Sequence, residues 1–146
     1  MARSVFFSFH YQRDIWRVNQ IRSMPNIVGC AAAGFQDSSL WEEAKKKNDD
    51  AVKRMIDRGL DGTSVTVVCI GARTAGRKFV NYEIQKSIAR GNGLVGIQIH
   101  HLKDTDGTTD LAGATPAGLN AYKLYKYTDK ESLAKWIEQA AKDAGR

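Results

Sequence analysis

The amino-acid sequence predicts an α/β fold in which a parallel sheet lies between two layers of helices. Short apolar runs alternate with amphipathic segments, and the runs lack the polar alternation of a sheet with one face in water. The strongest run, Thr63–Ile70, leads through a glycine-rich turn into an amphipathic segment. Such alternation favours right-handed crossovers with helices on both faces. We expect residues 1–146 to form one domain, since this length supports a single core.

The first half of the chain contains two predicted strands and two predicted helices. Val5–Phe9 is the first strand, and apolar residues at helical spacing predict a helix over Asp14–Arg22, which a proline then ends. Ile27–Phe35 is a weaker second strand. After a loop, an amphipathic helix is predicted from Leu40 to Arg58, with Gly59 as its C-cap.

The middle of the chain contains the clearest strand and the helix that follows it. Thr63–Ile70 is rich in β-branched residues. The next helix is predicted over Arg77–Arg90, with Val80, Ile84 and Ile88 directed at the sheet.

The last third completes the sheet. Leu94–Ile99 is a fourth strand, Asp104–Gly118 an exposed loop and Tyr122–Tyr127 an edge strand. Thr128 and Glu131 have the spacing of a capping box at the start of a final helix. The complete order predicts a flavodoxin-like three-layer sandwich with a central parallel sheet of about five strands.

Composition narrows the function classes. The net charge is +6, but the basic residues are dispersed and form no stripe interleaved with aromatics, so we expect no nucleic-acid partner. No apolar run is long enough to span a membrane and no leader is evident, so a soluble cytoplasmic protein is expected. Cys30 and Cys69 lie in apolar surroundings without metal-ligand spacing, which favours buried thiols over a disulfide or zinc site.

A ligand crevice is predicted where the strand order reverses, between the first and third strands. Their carboxyl ends are Ser8–His10 and Gly71–Thr74, which should frame the pocket. Phe79 and Glu83 are four residues apart on the following helix and share a face, so Glu83 should lie at the border of core and crevice. The alternative is a solvated glutamate that pairs with Lys86 or Ser87.

Two further motifs suggest chemistry less strongly. Gly71–Lys78 resembles a P-loop, but Arg77 and Lys78 occupy the lysine and serine/threonine positions, which excludes a magnesium-dependent nucleotide hydrolase. The turn can still hold a pyrophosphate at a helix start, or be a solvated basic turn. His100–His101 with nearby aspartates supplies metal-ligand residue types, but the spacing follows no ligand pattern and we expect no metal.

Three segments resemble a known family. The segment V-F-F-S-F-H-Y-Q-R-D at Val5–Asp14 resembles the opening strand and loop of TIR domains. K-F-V-N-Y-E-I at Lys78–Ile84 is similar to the TIR segment in which an aromatic residue precedes the catalytic glutamate by four positions. With D-S-S-L-W-E-E-A-K-K at Asp37–Lys46, these segments are most similar to the TIR subunit of the bacterial Thoeris antiphage system. The resemblance spans about Arg3–His101.

The resemblance implies which residues form the site. Glu83 takes the catalytic position and Phe79 the aromatic one. Aromatic rings would stack on the substrate, Ser8 and His10 would bond its ribose, and the Arg73–Lys78 turn would contact its phosphates. The expected substrate-binding residues are Phe6, Ser8, Phe9, His10, Asp37, Arg73, Thr74, Phe79 and Tyr82.

The resemblance also implies an activity. TIR enzymes of this type cleave NAD between nicotinamide and ribose, with NAD as substrate and no further cofactor. A cyclic or modified ADP-ribose would then activate a separate effector protein, and self-association would accompany activation. The alternative is a non-catalytic TIR-like interaction module in which Glu83 is a surface charge.

Overall fold

Five parallel strands form one sheet at the centre of the computed structural model, which describes residues 3–22, 27–31 and 48–146. The strand order is β2-β1-β3-β4-β5, and the chain adds helices between strands, which confirms the predicted flavodoxin-like α/β class. The strands are β1 (Arg3–Ser8), β2 (Ile27–Ala31), β3 (Val65–Ile70), β4 (Gly93–Gln98) and β5 (Leu124–Lys126). The helices are α1 (Tyr11–Ile21), α2 (Asp49–Leu60), α3 (Lys78–Ala89) and α4 (Lys130–Asp143), with a short 3₁₀ turn at Ala117–Leu119.

The two helical layers bury opposite faces of the sheet. α1 and α4 pack on the face that carries Phe7 and Val67, and α2 and α3 pack on the face that carries Phe6 and Val68. Because both faces are covered, every residue of β3 is buried. The register pairs Phe7 with Val67 and places the last residue of β1, Ser8, beside Val68. Ser8 therefore lies on the face covered by α3.

Helix α3 differs in one position from its predicted apolar face. Val80 and Ile84 are buried as expected, but Ile88 is 45% exposed and lies at the rim of the helix. Ser87 is buried in its place, with its hydroxyl 2.6 Å from the Thr66 hydroxyl of β3. A small hydroxyl residue thus lets α3 approach the strand closely.

Two predicted helix ends are wrong. Gly59 lies inside α2 rather than capping it, and a Cβ atom at this position would lie 2.9 Å from the Phe6 ring. The glycine therefore serves helix–sheet packing. The predicted capping box at Thr128 is displaced by one residue, because Asp129 is the N-cap of α4 and accepts a hydrogen bond from the Ser132 amide at 2.7 Å.

Helix boundaries next to residues 23–26 and 32–47, which lie outside the described residues, can be compared only in part. α1 begins at Tyr11, three residues before its predicted start. α2 begins at Asp49 with Asn48 as N-cap, while the predicted helical residues 40–47 and strand residues 32–35 lie outside the described residues. The Asn48 side chain accepts a hydrogen bond from the Ala51 amide at 2.8 Å, which satisfies a donor at the helix start.

We expect Asn48→Ala to lower the free energy of unfolding by about 1 kcal/mol, because the cap bond to Ala51 is lost. The matched control is Asn81→Ala, the same change at an exposed position inside α3, where alanine's better helix propensity should make the change neutral or slightly stabilising. Urea denaturation of both variants measures the difference. Equal stability of the two variants would contradict the assigned start of α2.

Candidate active site

A cavity of about 330 Å³ lies at the carboxyl end of β1, between the N-terminal ends of α1 and α3. This is the predicted point at which the strand order reverses between β1 and β3. One wall comes from the end of β1 and the start of α1, and the other from the turn before α3 and its first two turns. The lining residues are Phe7, Phe9, His10, Tyr11, Gln12, Gly76, Arg77, Lys78, Phe79, Val80 and Glu83.

Glu83 is the buried acidic group of this cavity. Its side chain is only 5% exposed, and it accepts a hydrogen bond of 2.7 Å from the Ser8 hydroxyl. Burial raises the pKa of Glu83 to about 8, and the Ser8 bond opposes that rise by favouring the charged form. In the described part of the chain, no cation offsets the burial, so the carboxyl group is mostly protonated at neutral pH in the free protein.

A chain of buried hydroxyl and amide groups fixes the part of α3 that carries Glu83. The Ser87 hydroxyl donates to the Glu83 backbone carbonyl at 2.7 Å and contacts the Thr66 hydroxyl. The Asn92 amide then bonds the Thr63 hydroxyl at 3.0 Å, which links the end of α3 to the start of β3. These contacts fix the backbone under Glu83 without touching its carboxyl group, so the carboxyl group's position is set by α3 and by Ser8 together.

The other wall of the cavity is the N-terminal end of α3. Gly76 has a φ of +81°, a conformation that glycine adopts without strain, and the chain turns there into the helix. The first N–H groups of a helix have no intrahelical acceptor and carry a partial positive charge. Arg77 is exposed, and Lys78 lies 2.5 Å from an Asp49 carboxylate oxygen and over the Phe79 ring. This end of the cavity is therefore suited to an anion.

Aromatic side chains line the space between the two walls. The rings of Phe9 and Tyr11 stack with centroids 6.0 Å apart and an interplanar angle of 27°. Phe79 lies half-buried on α3, four residues before Glu83. The cavity thus combines apolar ring surfaces, one buried carboxyl group and an electropositive rim.

The structure brings together about half of the predicted site residues. Phe9, His10, Phe79 and Glu83 line the cavity, and Ser8 reaches it through its bond to the carboxyl group. Asp37 lies outside the described residues.

The remaining predicted residues lie elsewhere. Phe6 is fully buried against α2, and Tyr82 faces the same helix, where its hydroxyl donates to Asp57 at 2.9 Å. Thr74 is buried and accepts a hydrogen bond from the Gly71 amide, so it closes the turn, while Arg73 is exposed and outside the cavity lining. Stacking or phosphate contacts by these side chains therefore have no support from the cavity geometry.

Sequence reasoning missed Tyr11 and Gln12, which line the cavity. Both were placed in a loop because the helix was predicted to start at Asp14. The signal that identifies them is their position directly after His10, at the carboxyl end of the switch-point strand.

The described residues also bear on metal binding and on membrane-spanning helices. Among residues 3–22, 27–31 and 48–146, no group of three or more His, Cys, Asp or Glu side chains is arranged to hold a metal ion. His101 instead places its Nε2 atom 2.7 Å from the Tyr127 carbonyl oxygen. Within the same residues, no helix is both long and apolar enough to cross a membrane.

Comparison with known proteins identifies the family. The model of the family described as "Thoeris protein ThsB, TIR-like domain" matches residues 6–104. The chain belongs to this family. A ThsB relative from Bacillus cereus strain MSX-D12, named "Putative cyclic ADP-D-ribose synthase ThsB1", is 45% identical over 138 residues, which are 93% of this chain and 72% of that protein. The resemblance to the TIR subunit of Thoeris systems is thereby confirmed. The matched residues 6–104 include every described residue that lines the cavity.

The raised pKa of Glu83 makes a prediction about stability. In the unfolded chain Glu83 releases its proton near the ordinary pKa of 4.5, whereas the folded protein keeps that proton up to about pH 8. The free energy of unfolding should therefore fall as the pH rises from about 4.5 to about 8. Glu83→Gln removes this loss. We expect the variant to gain stability relative to the parent, by up to about 1.4 kcal/mol per pH unit across this range.

Urea denaturation at about pH 5 and about pH 8 measures the trend. Glu131→Gln makes the same change at an exposed position of α4. The stability of this control relative to the parent should be the same at both pH values. A Glu83→Gln difference that is constant with pH would show that the carboxyl group is not held neutral by burial.

Proposed function

We propose that this protein cleaves NAD at the bond between nicotinamide and ribose and forms a cyclic or otherwise modified ADP-ribose in bacterial antiphage defence. The observation that carries the proposal is the buried carboxyl group of Glu83, held by Ser8 at the wall of a cavity at the switch point of the sheet. Membership of the ThsB family and the name of the Bacillus cereus relative support it.

The chemistry suits a single carboxylate. Nicotinamide leaves as a neutral ring from a cationic one, so its departure needs no strong acid. The remaining ribosyl group becomes an oxocarbenium cation, which a carboxylate stabilises as it does in glycosidases. An interaction of opposite charges is strong in a buried site because water screens it poorly. Glu83 is buried and fixed, so its carboxylate needs little rearrangement to meet the cation.

The substrate itself promotes the charged form of Glu83. Burial keeps the carboxyl group neutral in the free protein, but the cationic nicotinamide ring of bound NAD lowers the pKa of a neighbouring acid. The proton is lost as NAD binds, and the carboxylate then faces the sugar. The Ser8 hydroxyl donates to the charged oxygen and keeps its orientation.

The cavity also offers partners for the rest of this half of NAD. Phe9, Tyr11 and Phe79 provide ring surfaces for nicotinamide, and His10 lies at the rim where it can bond a ribose hydroxyl. The N-terminal end of α3 with Arg77 and Lys78 is placed for the pyrophosphate. NAD serves as the substrate, and the mechanism uses no further cofactor.

The proposal extends to signalling. The modified ADP-ribose would activate a separate effector protein, and copies of the chain would associate on activation. Both steps would take place in the cytoplasm, where NAD is available.

Loss of the Glu83 carboxylate tests the chemistry. We expect Glu83→Gln to lower nicotinamide release by about 100-fold or more, because a neutral amide does not stabilise the cation. Purified protein is incubated with NAD, alone and with extract of phage-infected cells, and nicotinamide is followed by chromatography. Glu131→Gln should retain the parent rate. Release that persists in Glu83→Gln would refute the mechanism, and no release from the parent in either condition would leave an interaction module.

The pH dependence tests the same carboxyl group. Because the ionised form is the active one, kcat/KM should rise with pH and level off above an apparent pKa of about 8. Ser8→Ala removes the bond that favours ionisation, so the rise should move to higher pH. Ser87→Ala is the matched control, since Ser87 bonds the backbone of Glu83 but not its carboxyl group. A shift in the Ser87 variant equal to that in the Ser8 variant would contradict the assignment.

A further inference from the structure

A second cleft adjoins the cavity on the far side of the α1 N-terminus. It has a volume of about 490 Å³ and lies between α1 and the loop after β4. His10 and Gln12 line both spaces, so the two spaces adjoin at these side chains. The other described residues that line the cleft are all polar: Arg13, Arg17, Asp104, Asp106, Thr108 and Asp110. A molecule in the first cavity can therefore extend directly into the second.

A buried ion-pair network fixes the shape of this cleft. Arg17 is 1% exposed, and its guanidinium group donates to Asp14 at 3.0 Å on its own helix and to the Leu102 carbonyl at 2.8 Å on the loop. Asp110 completes the network, 3.2 Å from Arg17 and joined to Arg13 by two hydrogen bonds of 3.0 and 2.9 Å. Because these groups tie the loop to α1, the cleft exists before any ligand binds.

The charges of the cleft favour neutral hydroxyl groups over phosphate. Its two guanidinium groups, on Arg13 and Arg17, are already paired with carboxylates. Three aspartates line it against these two arginines, so the lining is net acidic. An anionic phosphate would be repelled, whereas sugar hydroxyls can donate to carboxylate oxygens. Within residues 3–22, 27–31 and 48–146, no aromatic side chain other than His10 lines the cleft, which suits a sugar better than a base.

Asp104 has unused capacity to accept such bonds. Its backbone closes a tight turn with Gly107 and Thr108, at 2.9 and 2.8 Å, which fixes its position. Its Oδ1 atom accepts from the Thr105 amide, while its Oδ2 atom has no hydrogen bond within the described residues. Gln12 also has a side chain without a hydrogen bond in that part of the chain, and it lines both the cleft and the first cavity.

We propose that this cleft binds the ribose of the adenosine half of NAD, with Asp104 accepting hydrogen bonds from its hydroxyl groups and Gln12 spanning the two spaces. The proposal rests on the proposed function. It places both ends of one dinucleotide on one chain, folded around the α1 N-terminus. The adenosine half would then lie next to the ribosyl cation formed beside Glu83, and Asp104 becomes a residue that determines product specificity.

The consequence is the choice between cyclic and linear product. When the bond from ribose C1′ to the nicotinamide nitrogen breaks, its electron pair leaves with neutral nicotinamide. If an adenosine hydroxyl oxygen attacks C1′, a new C–O bond closes the ring and the hydroxyl proton passes to Glu83 or to solvent. If water attacks instead, linear ADP-ribose and the same proton result. Holding the adenosine ribose in the cleft raises its effective concentration over that of water.

Asp104→Asn tests the proposal. The KM for NAD should rise about fivefold and, at saturating NAD, the ratio of cyclic to linear product should fall about fivefold, the effect of one lost hydrogen bond of about 1 kcal/mol. Mass spectrometry of the products measures the ratio. Asp61→Asn, at an exposed carboxylate paired with Arg90 near the amino ends of β3 and β4, is the control and should keep the ratio.

Adenosine binding gives a readout that does not need turnover. Adenosine alone should bind the parent protein and perturb the NMR signals of residues 104–110, and Asp104→Asn should weaken that binding about fivefold. Gln12→Ala, at an exposed position, provides a second variant with the same expected direction should Asp104→Asn fold poorly.

The outcomes separate the two proposals. Nicotinamide release with an unchanged product ratio in Asp104→Asn and Gln12→Ala overturns the adenosine site and leaves cleavage intact. A parent protein that releases nicotinamide but forms no cyclic product does the same. Adenosine binding that depends on Asp104, in a protein that releases no nicotinamide, supports the site while refuting the proposed function.

Discussion

The hydrogen bond between Ser8 and Glu83 is the interaction on which the site depends. It joins the last residue of β1 to the second turn of α3, and both partners are buried. A carboxyl group in such a place is held at a cost, because burial disfavours its charged form and one hydroxyl compensates only part of that loss. At neutral pH the free protein therefore maintains a mostly neutral acid, whose ionisation a cation in the cavity would favour. Burial of Glu83 lowers the stability of the fold at the position where the proposed chemistry needs a carboxylate.

The hydrogen bond between Ser8 and Glu83 requires a particular placement of α3. The helix must bury Val80 and Ile84 against the sheet, present Glu83 to the cavity and still approach β3 closely. Ser87 meets the last condition, since its hydroxyl bonds both the helix backbone and Thr66 of the strand. A larger apolar residue there would move the helix outward and lengthen the bond to Ser8. The sheet order contributes equally, because only neighbouring β1 and β3 leave the crevice open between α1 and α3.

The strands were predictable because burial on both faces leaves a simple signal, a continuous apolar run, as in β3 and β4. Helix ends were less predictable, since neighbouring residues compete for the same role. Asp129 caps α4 although Thr128 fits the motif equally well, and Gly59 is explained only by the Phe6 ring that packs against it. These choices depend on contacts between distant parts of the chain, which local patterns do not contain.

The same distinction, between local sequence patterns and contacts made by distant parts of the chain, applies to the candidate active site. The spacing of Phe79 and Glu83 on one helix face is local information, and it was enough to place the glutamate at the crevice. Alternation along β1 decides that Ser8 shares a face with Phe6, but the sequence does not reveal that α2 covers the Phe6 ring. Phe9 and Tyr11 therefore form the aromatic wall instead, together with Phe79.

Two buried carboxyl groups show how the fold separates a structural role from a chemical one. Burial raises the pKa of Asp14 as it does that of Glu83, but Asp14 lies 3.0 Å from the Arg17 guanidinium, which opposes the shift and ties the acid into a network. Its opposite charge is built into the protein, so removing either partner leaves an uncompensated buried group. Among the described residues, Glu83 has only the neutral Ser8 hydroxyl as a partner, so a cationic ligand would supply the compensating charge. A buried acid with no cation among the described residues, beside an open cavity, is thus suited to a cationic substrate, whereas an acid paired with a buried arginine holds the walls in place.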